Sequence, residues 1–239
     1  MGFISFILGP LLLLVSPNYE SVFSDGYKEA ITFIEENNRS INNVITDERE
    51  KEIIISVIFP ELMRYSFLMD YFQEKAMEII YISHGSEKAD FSLGRCQIKP
   101  SFVEKMEQFV QCSPSLLAKH RHIIVFSDTS LAEIRSQRIQ RIQSFRWQLE
   151  YLRCFYSIMN ERLAGFKWNS RAAQIRYFAT AYNHDFTAGY DEIQRWMKKE
   201  TFPFGAGSSM NKYSYSNIAV YFYRNNWPDL KNKLFTAGN

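Results

Sequence analysis

The stretch that decides the fold is KEIIISVIFPELMR, residues 51–64. Ile53, Ile54, Val57 and Ile58 recur at helical spacing, and the intervening residues leave almost no polar face. A helix that is apolar all round is tolerated only in an interior, so this spacing predicts a central, buried helix. Asp47 with Glu50 three positions later forms a capping-box pattern that opens it. Pro60 has no N–H, and its ring would press on the carbonyl of Ser56. The helix is therefore expected to end at Pro60, with Glu61 just past the break.

Other helices follow on either side. Asp25 opens an amphipathic stretch through Ala30, Ile31, Phe33 and Ile34, and the Asn-rich segment 37–43 reads as its stop. A stripe of Leu62, Tyr65, Leu68, Tyr71, Phe72, Ala76, Ile79 and Ile80 predicts helix to about Tyr81. Pro100 starts another through Phe102, Val103, Met106 and Phe109. Thr129 and Ser130, with Glu133, cap one long helix reaching Leu163 and stopping at Gly165. Asn169 caps a further helix, a short one covers 191–199, FPFGAGSS at 202–209 is a flexible loop, and a last helix covers 216–224. Alternating strand patterns and internal repeats are lacking. The fold class expected is mostly α, with little or no β-sheet.

The chain has 239 residues, enough for a full core in one domain over 18–239. A formal net charge of +2 implies no polyelectrolyte partner, so no nucleic acid is expected. Aromatic residues make up 16% of the chain, enough to line a groove for ring-shaped ligands as well as a core. Residues 1–17, within MGFISFILGPLLLLVSPN, have the length of a signal-peptide apolar region and end in turn residues. Export to the periplasm or cell envelope is expected. Gly9-Pro10 opposes a rigid span, which needs about 20 apolar residues, and an uncleaved anchor giving membrane association is the alternative. Cys96, Cys112 and Cys154 lack metal-ligand spacing and read as buried thiols, with a disulfide between two of them in an oxidising compartment as the alternative. His84, His120, His122 and His184 form no spaced ligand set either. Arg135, Arg138 and Arg141 make a basic strip that reads as a solvated helix face, with an anionic wall as the alternative partner.

Three segments carry the candidate chemistry. Glu61, flanked by Phe59, Pro60 and Leu62 at the negative end of a helix, is poorly hydrated, and both effects raise a carboxyl pKa. A glutamic acid protonated near neutrality is what cleavage of a glycosidic bond requires. ADFSLGRCQIKPSF, 89–102, places Ser92, Gly94 and Gln97 in one loop whose backbone a ligand can approach. ATAYNHD, 179–185, ends a helix with Tyr182 and Asn183, which offer hydrogen bonds to a carboxylate, an acetamido group or a sugar. Read alone, each has a plainer explanation: a surface carboxylate, a helix-to-helix connection, and packing with a C-terminal cap.

Taken in order, the three resemble the goose-type lysozyme and soluble lytic transglycosylase family over roughly residues 45–200. Glu61 in VIFPELMRYS matches the catalytic Glu, Gly94-Arg95-Cys96-Gln97 the Gly-Leu-Met-Gln type loop, and Ala181-Tyr182-Asn183 the Ala-Tyr-Asn helix end. Departures fall at Leu62, where Ser is common, at Cys96 in place of Met, and at Asp185 in place of Gly. The resemblance implies a lysozyme-like domain that cleaves the β-1,4 bond between N-acetylmuramic acid and N-acetylglucosamine in peptidoglycan. It implies Glu61 as acid and base, Ser92, Gly94, Gln97, Tyr182 and Asn183 as substrate-binding residues, and no metal or cofactor. Glycan strands are the implied partner of a monomer. Asp90 is the candidate for a second carboxylate, and Asp70 is expected on a helix's outer side. Without a second carboxylate the substrate's acetamido group would stabilise the cation, giving a 1,6-anhydro product. A lysozyme-type hydrolase and a catalytically inactive glycan-binding or scaffold domain are the alternatives.

Overall fold

The computed structural model describes residues 17–64, 71–205 and 210–236. The leader through residue 16, Asp70, and Tyr65 and Leu68 of the apolar stripe lie outside the described residues, as do 206–209 of the expected loop. The fold is mostly α. Among the described residues two isolated bridges, Leu93 with Ile98 and Phe202 with Tyr213, are the whole of the β structure.

The centre is α3, Glu48–Arg64, in which every residue from Ile53 to Met63 is buried. Around it pack α1 (Tyr19–Glu36), α8 (Phe145–Arg162), α9 (Arg171–Asn183) and α11 (Tyr215–Asn225). Asp47 opens α3 by accepting from the Glu50 N–H at 2.7 Å. On α3, Phe59 stacks on Phe222 with centroids 4.0 Å apart, and Tyr27 meets Phe59 edge-on.

Pro60 does not end α3, contrary to expectation: the helix runs through it to Arg64. Tertiary packing outweighs the lost bond, because the segment is buried on all sides. The Tyr215 hydroxyl donates at 3.0 Å to the carbonyl of Val57, next to the Ser56 carbonyl that Pro60 leaves without its helical N–H. Glu61 and Arg64 consequently sit one turn apart on one face of a single helix.

Other boundaries also shift. α1 begins at Tyr19, where Asn18 accepts from Ser21 N–H at 3.2 Å; a non-helical Ser24 (φ 41°) interrupts it, and Asp25 is where the helix resumes. Asn37 ends α1, its side chain donating to the Phe33 carbonyl, yet α2 (Asn38–Val44) follows because Ile41 and Val44 have a core to enter. α4 covers Tyr71–His84 and α5 Pro100–Cys112. α6 (Pro114–His120) and a 3-10 turn at Arg121–Ile124 were not expected.

The long helix expected over 129–163 is two, α7 (Leu131–Gln143) and α8, broken at an extended Ser144. The basic strip on α7 is not a solvated face either. Arg138 is buried against Glu107, Arg135 donates to the Ile82 carbonyl, and Arg141 donates to that of Ile123. Ser170, not Asn169, caps α9 by accepting from Ala173 N–H. α10 covers Tyr190–Trp196, and a final α12, Trp227–Thr236, follows α11. At the start of the expected loop, Phe202 is buried and pairs with Tyr213. No helix among the described residues is long and apolar enough to cross a membrane.

Candidate active site

The C-terminal ends of α3 and α9 meet the loop before α5 around a cavity of about 410 Å³. Glu61, Ser92, Gln97, Tyr182 and Asn183 all line it, so five of the six residues singled out in the sequence converge. Gly94 lies outside the lining. Asp90, Asp185, Arg64, Lys99 and Lys105 complete its charged wall.

Glu61 is 5% exposed. Burial pushes its carboxyl up from the ordinary 4.5 to about 7, against the downward pull of Arg64 and then Lys99. Arg64 comes within 3.6 Å of Oε2, an ion-pair distance longer than a hydrogen bond. Oε2 itself is buried without a hydrogen-bond partner among the described residues, and so is Nε of Arg64. An orphaned oxygen on a buried carboxyl is costly, and here it belongs to a group that keeps its proton near neutrality.

The other two carboxylates of the wall are occupied. Asp90 Oδ1 accepts the Ser101 N–H at 3.0 Å, capping the start of α5, and Oδ2 lies 3.8 Å from Lys99 Nζ. Asp185 accepts from Lys105 Nζ at 2.8 Å and from both the N–H and hydroxyl of Thr187.

The loop is a tight turn closed by the Leu93–Ile98 bridge, with N–H···O distances of 2.9 and 3.0 Å. Gly94 and Gln97 both take positive φ, 66° and 53°. The missing side chain of Gly94 makes room for protein, not for the cavity: a Cβ there would sit 1.6 Å from Gln148 Nε2 and 2.9 Å from the Ile142 carbonyl oxygen. Gln97 folds its amide back to donate to the Gly94 carbonyl at 2.9 Å, and no hydrogen bond joins it to Glu61 among the described residues. The hydroxyl of Tyr182 donates to the Cys96 carbonyl at 2.6 Å and so holds the loop. Asn183 is exposed at the rim.

The residue the sequence did not flag is Gln148. Fully buried on α8, it accepts from Cys96 N–H at 3.1 Å and donates to the carbonyls of Ile142 and Leu93 at 2.7 and 3.3 Å. The break at Ser144 leaves the Ile142 carbonyl in reach of this amide. Arg64 was legible only from its spacing to Glu61, once α3 is carried through Pro60.

Cys96 and Cys154 are buried free thiols, but Cys112, at the end of α5, is exposed, contrary to the reading of all three as buried. Among the described residues no group of three or more His, Cys, Asp or Glu side chains is arranged to hold a metal. His120 bonds Ser157 at 2.9 Å, while His122 and His184 pair with Glu150 and Glu192. No protein-family model matches the chain, and neither a curated protein nor a solved structure matches it significantly.

Proposed function

We propose that the chain is an exported lytic transglycosylase with a lysozyme-like catalytic domain, acting on peptidoglycan glycan strands through Glu61. The observation that carries this reading is a buried carboxyl, protonated to about pH 7, in the wall of a cavity shared with Ser92, Gln97, Tyr182 and Asn183. A sugar bridge presented to Glu61 receives its proton on the bridging oxygen as the C1–O bond breaks. The acetamido oxygen of the same sugar stabilises the cation. Glu61, now a carboxylate, takes the proton of the 6-hydroxyl, whose oxygen closes on C1 to give the 1,6-anhydro ring.

The single-acid route is favoured over two-carboxylate hydrolysis because Asp90 and Asp185 are engaged by a helix start and by lysines. Retaining and inverting hydrolases need a second carboxylate free to act, roughly 5 Å or 6.5–9.5 Å from the first. Mass spectrometry of digested peptidoglycan tests the assignment: anhydro ends are expected, reducing ends would assign a hydrolase, and no cleavage would leave a glycan-binding domain.

A further inference from the structure

At the opposite end of α9 from Glu61, a second hollow of about 420 Å³ opens beside Phe166, Trp168 and Tyr190. These rings touch one another: Phe166 lies 4.5 Å from Trp168 and 5.4 Å from Tyr190, and Tyr177 behind them stacks on Tyr190 at 21°. Phe166 and Tyr190 are 41% and 42% exposed, so neighbouring large rings face solvent at one place. Lys167, Arg176 and Arg224 line the same hollow, and no Asp or Glu does. None of the three cations is in an ion pair among the described residues; Arg176 donates only to the Asn217 side chain.

Charge and shape together narrow the ligand. Three cations without a carboxylate among the lining residues call for an anion, and guanidinium groups suit a carboxylate's two oxygens. A flat base held between two rings needs an open slot between parallel faces, whereas these rings abut at 55° and 41° and make a creased platform. Such a platform offers ring faces to the C–H face of a pyranose. We infer that this groove binds a carboxylate-bearing saccharide, its sugar ring on Phe166 and Tyr190 and its carboxylate on Arg224, Arg176 and Lys167. On α9 the groove's Arg176 stands six positions before Tyr182 of the Glu61 cavity, roughly 9 Å along the helix axis, and the two hollows share no lining residue, so the inference stands apart from the proposed cleavage.

The test uses the full chain carrying Glu61→Gln, so that no probe is cut. It is titrated with N-acetylglucosaminyl-N-acetylmuramic acid, tetragalacturonic acid and neutral chitotetraose N-acetylated on every ring, with the NMR shifts of the Trp168 indole N–H and of the Tyr182 and Asn183 backbone amides followed. Saturable shifts are expected with an acidic saccharide, and which of the two responds separates a lactyl from a uronic carboxylate. Phe166→Ala, Tyr190→Ala and Arg224→Gln should each weaken that binding about fivefold or more. All three positions are exposed, and Lys167→Gln serves as the charge test should Arg224→Gln unfold. The inference is overturned if neither acid shifts Trp168, if binding survives the ring substitutions, or if the neutral tetramer binds as tightly. Shifts confined to Tyr182 and Asn183 would likewise overturn it while leaving the cleavage reading intact.

Discussion

Tyr182 in the last turn of α9 donates its hydroxyl to the carbonyl of Cys96 at 2.6 Å, joining two residues 86 positions apart in the chain. The bond is buried, and the Tyr182 ring packs steeply, at 72° and 74°, against Phe102 and Phe155, with centroids 5.3 and 5.5 Å away. It fixes the loop that carries Gln97 against the helix end that carries Asn183. Tyr182→Phe would keep the ring packing and strand a buried carbonyl. The expected cost is about 1–2 kcal/mol in urea denaturation, and a loosened loop should lower peptidoglycan cleavage roughly tenfold or more. Unchanged stability would show that the carbonyl finds another donor.

Glu61 links activity and stability to pH in the same window. Its acid form is lost as pH rises through about 7, so the rate of cleavage should fall along an alkaline limb centred there. For stability the sign follows from the raised value: between 4.5 and about 7 the folded chain holds a proton that the unfolded chain has released. Stability therefore falls as pH rises across that window and levels off above it, by up to about 3 kcal/mol. Glu61→Gln should abolish this slope, be more stable than the parent at pH 8, and cleave about 10²–10⁴-fold more slowly. Thermal or urea unfolding at pH 4.5 and 8 and a digestion assay read both effects. A variant that cleaves at the parent rate removes Glu61 from the chemistry.

The central helix was legible because its residues leave no polar face, and the convergence of Glu61, Gln97 and Tyr182 was legible from motif order. What misled was local chemistry read without its tertiary partners. Pro60 is a helix breaker in isolation, yet an enclosed segment with Tyr215 bonded to the Val57 carbonyl keeps its course. Ser144 carries no strong breaking signal, and α7 and α8 separate there in a setting where Gln148 must reach the loop. The arginines of α7 look like surface in a list of charges. Their partners, Glu107 and the carbonyls of Ile82 and Ile123, come from other segments, and no single-helix pattern shows them. Gly94 was read as space for a ligand because its neighbour in space, Gln148, is 54 positions away in sequence.

Gly94 and Gln148 should behave as one unit. Gly94→Ala would press a methyl into the Gln148 amide at a backbone position of positive φ, and a cost of about 1–3 kcal/mol is expected. Gln148→Ala would leave the Cys96 N–H and the Leu93 and Ile142 carbonyls without this partner, at about 2–3 kcal/mol or more. The double variant relieves the clash with the amide while keeping that with the Ile142 carbonyl, so its loss should be smaller than the two single losses together. Denaturant unfolding of the four chains measures the coupling, and strict additivity would mean that the two side chains do not meet.

Arg138 and Glu107 give the clearest stability test away from the cavity. Arg138 is 5% exposed and Glu107 7%, and they form a two-point pair through Nε–Oε1 at 2.8 Å and Nη2–Oε2 at 2.7 Å. Tyr81 and Glu104 complete the arginine's partners, and the Phe126 ring lies 5.5 Å from its guanidinium carbon. Burial already holds the Glu107 carboxyl above its ordinary range despite Arg138. Arg138→Met removes that counter-charge and strands a buried carboxylate, at an expected cost of about 3–5 kcal/mol near neutral pH. Acid should narrow the deficit, because protonation neutralises Glu107 and the folded state then binds that proton more tightly than the unfolded one. Arg138→Met with Glu107→Leu should recover most of the loss, since neither charge is then left alone in the interior. Urea denaturation at pH 4.5 and 8 distinguishes the cases; a single variant as stable as the parent at pH 8 would return Arg138 to the solvated face suggested by its sequence.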